Sequence, residues 1–361
     1  MGQLLGLLNI AEAAADKTFV STIGQRLVYD AVQTLLNTYN AELAKAKRLF
    51  VERTTSDFKF RYVLPGGGRL QRRGGQAQSG AVKSTGSWDV AFPLEDFGAQ
   101  FGGDDIALAY MTAAALDRHL DTITIQDVNT VRFEMLKALF NNTARTFQDE
   151  VQGSLTIQPL ANNDSVVYPP VMGSESEATD NHYLFSGYTA ANISDTNNPY
   201  PTIRAELVEH FGGPEQGGDN VATFINSSES AKTRALAGFD SVTARFINPG
   251  ANTDQPTSLP TGLPGNVIGY VAQGGWVVEW DWIPSGYALG LHLDAPRPLV
   301  ERIDPAETGL GQGLQLVYED TEYPLKSSHY RHRFGLGAGN RLNGVVMKFD
   351  LAAYSVPAIY A

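Results

Sequence analysis

The strongest hydrophobic pattern in the chain lies in residues 124–151, TIQDVNTVRFEMLKALFNNTARTFQDEV. Leu136, Phe140, Ala144, Phe147 and Val151 recur there at steps of four, four, three and four. Such steps place them on one stripe of a helix. Thr124, with Asp127 three residues on, is a helix-start pattern. A hydroxyl there caps a free backbone N–H, and a carboxylate favours the positive helix end. Neither Gly nor Pro interrupts before Gly153. The segment predicts a single helix roughly 40 Å long, enough to run across a domain with other segments packed along it.

The flanking patterns differ. In residues 3–50, Leu4, Leu5, Leu7, Leu8 and Ala11 form a short apolar patch, and Ile23, Leu27, Ala31, Leu35, Tyr39 and Leu43 follow at four-residue steps. Both an arm docked on a neighbouring chain and the first helices of a helical subdomain fit this. DFKFRYVL alternates, with Phe58, Phe60 and Tyr62 on one side and Lys59 and Arg61 on the other, as a strand does. PGGGRLQRRGGQAQSG then carries Gly66, Gly67, Gly68, Gly74, Gly75 and Gly80 and cannot build a core. AVKSTGSWDVAFPL returns as extended chain. The whole predicts a long hairpin with a flexible basic tip, Arg69, Arg72 and Arg73. A two-stranded ribbon is marginal alone in water, so the segment is either covered by another chain or a surface loop. A further helix is expected over residues 104–121, breaking at 121–123.

Residues 162–300 mix loops with a helix at 202–211 and a strand–turn–helix, VATFINSSESAKTRAL, in which Asn226 to Ser228 can cap. NVIGYVAQGGWVVEWDWIPSGYALGLHLD supplies two or three more strands, and the region reads as an inserted α/β domain. The remainder is mainly extended, with LQLVYED, SSHYRHRFGLGAG and NGVVMKFDL as strands.

Composition narrows the function. The 361 residues are enough for two domains or one large discontinuous fold. Cys is absent, which excludes disulfides and thiolate chemistry. A net charge of −12 argues against a surface that grips nucleic acid, while suiting a container wall that must not stick to polyanionic contents. No apolar window long enough for a membrane helix occurs. The opening MGQLLGLLNIAEAAA lacks the basic start of a signal peptide and reads as an intracellular, mature N-terminus.

No catalytic, cofactor-binding or metal constellation emerges. His329 and His332 in HYRH fall on opposite faces of a strand, which does not suit a zinc pair. Glu206 and His210 have helical spacing and read as a surface pair. Glu279 and Asp281 in WVVEWDW share a strand face beside Trp276, Trp280 and Trp282, and carboxylates with aromatics are the ingredients of a glycosidase cleft. Two carboxylates side by side on one strand would not flank a bond, however. The runs 309–313 and 335–339 are Gly-rich but open no helix, so neither is a dinucleotide site.

The order of parts, namely helical arm, Gly-tipped hairpin, long helix, inserted α/β region and closing strands, resembles the tailed-phage major capsid protein family with its Hong Kong 97-type fold. HYRHRFGLGAGNRLNGVVMKFD and VATFINSSES are similar to that family's closing strands and its strand-then-helix element. The resemblance implies an α+β fold with an N-arm over residues 1–51 and an E-loop over 52–95. It implies a P-domain of 96–161 and 296–361 with its spine helix at 124–151, and an A-domain of 162–295. The E-loop tip, Gly66, Arg69, Arg72 and Arg73, would form an assembly interface, and Leu136, Phe140, Phe147 and Val151 the spine's core face. The implied function is an icosahedral shell of hexamers and pentamers around double-stranded DNA, located in the virion capsid and assembled in the host cytoplasm. No enzymatic activity, cofactor, membrane or sequence-specific DNA binding is implied. Scaffold, portal and decoration proteins are the implied partners. With the arm beginning close to Met1, no scaffolding segment is expected ahead of it, and Lys59 and Lys83 lie in the expected E-loop, where some members form cross-links. An encapsulin-like cargo shell shares the same parts, and a carbohydrate-active enzyme using Glu279 and Asp281 is the alternative of another class.

Overall fold

One buried side chain decides where the long helix lies. Leu116, Leu120, Ile123, Asp127, Val131, Met135 and Leu139 recur at steps of four, three, four, four, four and four, and all are buried. Asp127 occupies an apolar slot of this stripe, where the sequence pattern reads as the first turn of a helix. In the computed structural model the helix runs without interruption over Ala113–Phe140. The model describes residues 3–64, 87–102, 107, 109–169, 178–211, 220–242, 262–317 and 327–361.

The expected bounds of 124–151 are therefore corrected: both ends lie 11 residues earlier (124 against 113, 151 against 140). Thr112, not Thr124, is the N-cap, its hydroxyl accepting from the Ala115 N–H. The Thr124 hydroxyl donates instead to the carbonyls of Leu120 and Asp121, a bond that a threonine inside a helix makes. At the far end the Asn141 side chain accepts from the Thr143 N–H, closing a local turn that competes with further helix. Residues 145–149 then become a strand. Of the helix expected at 104–121, residues 113–121 are the first third of the long one, and 104–106 and 108 lie outside the described residues.

The first helices are α1 (Gln3–Leu7), α2 (Glu12–Ala15), α3 (Val20–Ile23) and α4 (Gln25–Lys47). Of the arm's expected stripe, Ala31, Leu35 and Leu43 are buried, whereas Leu27 is exposed. Leu4, Leu8, Val28, Val32 and Leu36 share a core with Leu116, Leu120 and Ile123 of the long helix, α5 (Ala113–Phe140). The arm thus packs on its own chain.

Two larger sheets follow. Strands β1 (Val51–Thr55), β2 (Lys59–Val63), β3 (Ser87–Ala91) and β4 (Glu95–Gly102) precede α5; β5 (Arg145–Asp149), β6 (Gly153–Ile157) and β7 (Tyr183–Phe185) come after it. Helix α6 (Tyr200–Phe211), β8 (Val221–Ile225), α7 (Ser227–Arg234), β9 (Phe239–Ser241), β10 (Asn266–Val271), β11 (Gly275–Glu279) and β12 (Tyr287–His292) build the central region. β13 (Leu299–Arg302), β14 (Gln315–Val317), β15 (Ser327–Ala338) and β16 (Val345–Lys348) close the fold. One mixed sheet has the order β7-β16-β12-β8-β11-β10-β9, and the other runs β1-β13-β15-β14 with β4 also on β15. The pairs β2–β3 and β5–β6 are separate ribbons.

The expected strand–turn–helix is present: β8 is buried at every position, and the Asn226 side chain caps α7 by accepting from the Ser228 N–H. β15 is the longest strand at 12 residues. Its first eight residues pair with β4 and its last four with β13. Its glycines answer a packing demand. A Cβ on Gly335 would lie 1.9 Å from the Pro93 carbonyl oxygen, and one on Gly337 would lie 2.8 Å from the Phe92 ring. The strand and the foot of the hairpin approach too closely for any larger residue there.

The main core lies between α5 and the sheets. Leu136 and Phe140 are fully buried in it, with Phe224, Trp276, Leu289, Phe334, Leu336 and Val346. The other three residues of the expected stripe, Ala144, Phe147 and Val151, are not on the helix. Phe147 sits on β5, half-buried against Leu155 and Ile157, and Val151 is 84% exposed in the turn after it. The apparent helical step from Phe140 to Phe147 joins a helix to a strand across a turn.

A pH prediction arises at the foot of this core. Arg302 and Asp149 form a buried ion pair at 2.7 Å. Burial pushes the Asp149 carboxyl up, but the N–H groups of Gln152 and Val151 and the Arg302 guanidinium outweigh it and hold the group below its ordinary value. A carboxylate depressed in the folded state stabilises the fold above its unfolded pKa, and that stabilisation is lost as pH falls through the folded value. Asp149→Asn should therefore be less stable than the parent near neutrality, and the two unfolding curves should converge in acid, below about pH 4. Urea midpoints measured across that range check it; a gap that widens on acidification would contradict it.

Candidate functional site

The hairpin stem is the first candidate surface. β2 and β3 pair antiparallel from Lys59↔Ala91 to Val63↔Ser87. Alternation puts Tyr62, Trp88 and Val90 inward, where they share a core with Phe92, Tyr168, Val300 and Leu342. Trp88 stacks on Tyr62 at 5.2 Å, meets Tyr168 edge-on at 5.1 Å and donates its indole N–H to the Gly339 carbonyl at 2.8 Å. The outward positions are charged: Arg61 pairs with Asp89 at 2.9 Å and Lys59 with the same carboxylate at 3.5 Å. The Arg61 hydrogen bond holds Asp89 below its ordinary pKa. The inward face of the stem is therefore covered by its own chain. The tip residues Gly66, Arg69, Arg72 and Arg73 lie outside the described residues.

Where the arm crosses α5, the Asp127 carboxylate accepts from the Tyr39 hydroxyl at 2.7 Å and pairs with His332 Nδ1 of β15 at 2.7 Å. One buried acid thus joins arm, long helix and long strand. His329, three residues earlier on β15, is less buried, in keeping with the opposite face expected for it. A cleft of about 330 Å³ opens beside the network, lined by Phe97, Ile123, Gln126, Thr130, Leu314 and the Asp127–His332 pair among others. No serine stands among its lining residues. The acid and the imidazole hold each other, as a structural tie does.

Glu279 and Asp281 do not form a cleft. Glu279 ends β11, and Asp281 lies in the turn beyond it. Glu279 accepts from the Ser230 hydroxyl, and Asp281 accepts from the Ser227 N–H at 3.1 Å, so both carboxylates serve the first turns of α7. Trp276 and Trp280 are buried in the main core and present no open face to a sugar.

A third cluster was not visible as a unit in the sequence. Asp180 and His182, at the start of β7, meet Glu206, Glu209 and His210 of α6. Only the Glu206–His210 spacing signalled it, and the partners come from 24 residues upstream of Glu206 (206 against 182). The Asp180 carboxylate faces His182 Nε2 at 2.9 Å and His210 Nε2 at 3.3 Å, and Glu209 lies 3.4 Å from His210. His182 Nδ1 faces the Gly344 carbonyl at 2.8 Å and must donate to it. Burial pushes Glu206 up to about 7; the nearby His182 opposes this, and Glu209 and Asp180 add to it. Burial disfavours the charged form of His210, yet the Asp180 and Glu209 carboxylates raise it to about 9.

No helix among the described residues is long and apolar enough to cross a membrane. No protein-family model matches the sequence. No curated protein matches it. Among solved structures, the chain is similar to one of Mycobacterium phage Patience at 21% identity, over 95% of this chain and 93% of that one, with a TM-score of 0.61. More remote matches are the capsid of the native GTA particle (12% identity, 84% and 90% covered, TM-score 0.45) and the SrpI encapsulin complex of Synechococcus elongatus PCC 7942 (12%, 85% and 90%, TM-score 0.41). The fold is α+β, of the Hong Kong 97 type found in tailed-phage major capsid proteins.

Proposed function

We propose that this chain is the major capsid protein of a tailed bacteriophage, a non-enzymatic subunit that self-assembles into an icosahedral shell around double-stranded DNA. The observation that carries the reading is a fold shared along nearly the whole chain with a phage protein. The parts agree physically. A hairpin stem whose connecting segment is basic, on a chain of net charge −12, suits contact with an acidic neighbouring copy. The same negative charge keeps the wall from binding its contents tightly. The carboxylates and aromatic rings that could have served a glycosidase are engaged in hydrogen bonds to the first turns of α7 and in filling the core. Hexamers and pentamers of the chain, with scaffold, portal and decoration proteins, belong to this reading, as does a place in the virion capsid after assembly in the host cytoplasm. The domain limits of N-arm, E-loop, P-domain and A-domain are proposed with it.

Size measurement tests the proposal. Gel filtration and negative-stain images of particles from the producing host should show closed megadalton shells holding nuclease-protected DNA. Shells filled with protein cargo and free of DNA would favour an encapsulin-like compartment instead. A monomer or dimer whose melting responds to glycans would sink the shell reading.

A further inference from the structure

We propose that the cleft between α5 and the strands β4 and β15 is a binding site for a small, uncharged, largely apolar molecule whose one hydroxyl group donates to Nε2 of His332. The inference stands on this cleft alone and holds whether or not the chain builds shells.

The cleft is of ligand size: its volume of about 330 Å³ falls within the roughly 300–1,000 Å³ usual for small-molecule pockets. Its depth is apolar and its rim polar. Ile123 and Leu314 are buried and Phe97 and Ala99 half-buried, whereas Gln126 and Asn129 are exposed. Its walls are held from behind. Tyr39 and Asn40, neighbours on α4, each fix one wall. Tyr39 donates to Asp127 at 2.7 Å, and the Asn40 side chain bonds both the carbonyl and the N–H of Leu314, at 3.0 and 2.9 Å. On the strand side the Phe97 ring lies 5.0 Å from that of Phe334. Walls already in place spare a ligand the cost of ordering them.

One buried nitrogen says what the ligand carries. His332 is 2% exposed, and its ring is part of the cleft wall. The tie to Asp127 uses only Nδ1, at 2.7 Å, and the other Asp127 oxygen accepts from Tyr39. A carboxylate accepts, so Nδ1 carries the proton, and Nε2 of the neutral ring presents a lone pair. Among the described residues nothing donates to that lone pair. A buried acceptor without a donor is costly, and a hydroxyl entering the cleft supplies the missing proton donor. Charge selects against the alternatives. No lysine or arginine stands among the described lining residues, and the Asp127 carboxylate disfavours an anion. Both Asp127 oxygens are engaged, so a cation gains little there.

The test uses the full chain before assembly, with p-cresol as the probe and toluene as its counterpart without the hydroxyl. In calorimetry and thermal unfolding, p-cresol should bind saturably at one per chain and raise Tm. Toluene should bind at least about tenfold more weakly, because a site built around a polar partner rejects the analogue that leaves it unpaired. The ring signals of His332 in NMR should shift on addition of p-cresol. His332→Asn keeps an N–H donor near the place of Nδ1 and deletes Nε2, so it should erase the preference for p-cresol over toluene. Ala99→Phe fills the cleft from β4, leaves the Tyr39–Asp127–His332 network in place and should abolish binding of both probes, with circular dichroism as the check on folding. Absence of saturable p-cresol binding, toluene bound equally well by the parent, or unchanged p-cresol affinity in the folded variants would overturn the site.

Discussion

Replacing Arg341 by alanine is expected to cost about 3–5 kcal/mol of stability, one of the largest losses any single position here should give. The side chain is fully buried in the loop between β15 and β16. Its Nε–H donates to the Pro159 carbonyl at 2.6 Å, and a terminal N–H donates to the Leu160 carbonyl at 3.1 Å. The same guanidinium pairs with Asp164, and it lies 5.9 Å from the Tyr168 ring centre. Truncation strands two carbonyls away from water, at about 1–3 kcal/mol for each unsatisfied group, and leaves a void among Leu160, Tyr168 and Leu342. The Asp164 carboxylate is partly solvated, so its share of the loss is the smaller one. Arg341→Lys should lose less than alanine, because one donor can still reach a carbonyl. Arg26→Ala, at an exposed i,i+4 pair with Asp30, serves as the neutral control. Denaturant midpoints of the unassembled chain measure all three. An alanine variant as stable as the control would mean that the loop does not need the guanidinium.

Deleting residues 66–80 should leave a folded chain that no longer forms shells. The deletion removes no residue of the paired stem, which is held by Trp88, Tyr62 and Phe92. Circular dichroism and Tm should therefore stay close to those of the parent. What leaves is GGGRLQRRGGQAQSG, with Arg69, Arg72 and Arg73 and no acid. Net charge falls from −12 to −15 (−12 minus 3), so copies repel more strongly while the basic contact is lost. Charge complementarity of this kind sets register and encounter more than it sets raw affinity. A triple Arg→Glu variant of full length separates charge from reach: assembly lost in both variants implicates the arginines, and assembly lost only in the deletion implicates the loop's length. Shells of normal size from the deletion would refute the assembly role of the tip.

Much of the candidate surface could be anticipated, and the exceptions have physical causes. The alternation of Phe60 and Tyr62 against Val90 and Phe92 predicted the hairpin because strand periodicity is a local property. Whether a neighbour or its own chain covers the stem depends on Tyr168, Val300 and Leu342, residues more than a hundred positions from Tyr62. The acid–histidine cluster between β7 and α6 shows the same limit. Glu206 and His210 stand one helical turn apart and are visible, whereas Asp180 and His182 reach them only because β7 docks on the sheet edge beside α6.

By itself the sequence determined several local features: the Asn226 cap after β8, the long closing strand, the paired strands on either side of the glycine-rich segment, and the absence of thiol chemistry. Each follows from neighbours within a few residues, where propensity, capping and periodicity act. The tertiary structure decided what those local rules cannot weigh. It moved the long helix 11 residues toward the N-terminus (124 against 113), because Asp127 is buried by Tyr39 and His332 and so belongs to the core stripe rather than to a helix start. It also turned Arg341, which in GAGNRLNG reads as a solvated turn residue, into a fully buried anchor. A charged group changes from surface to core when distant backbone carbonyls are brought to meet it, and that meeting is a property of the fold.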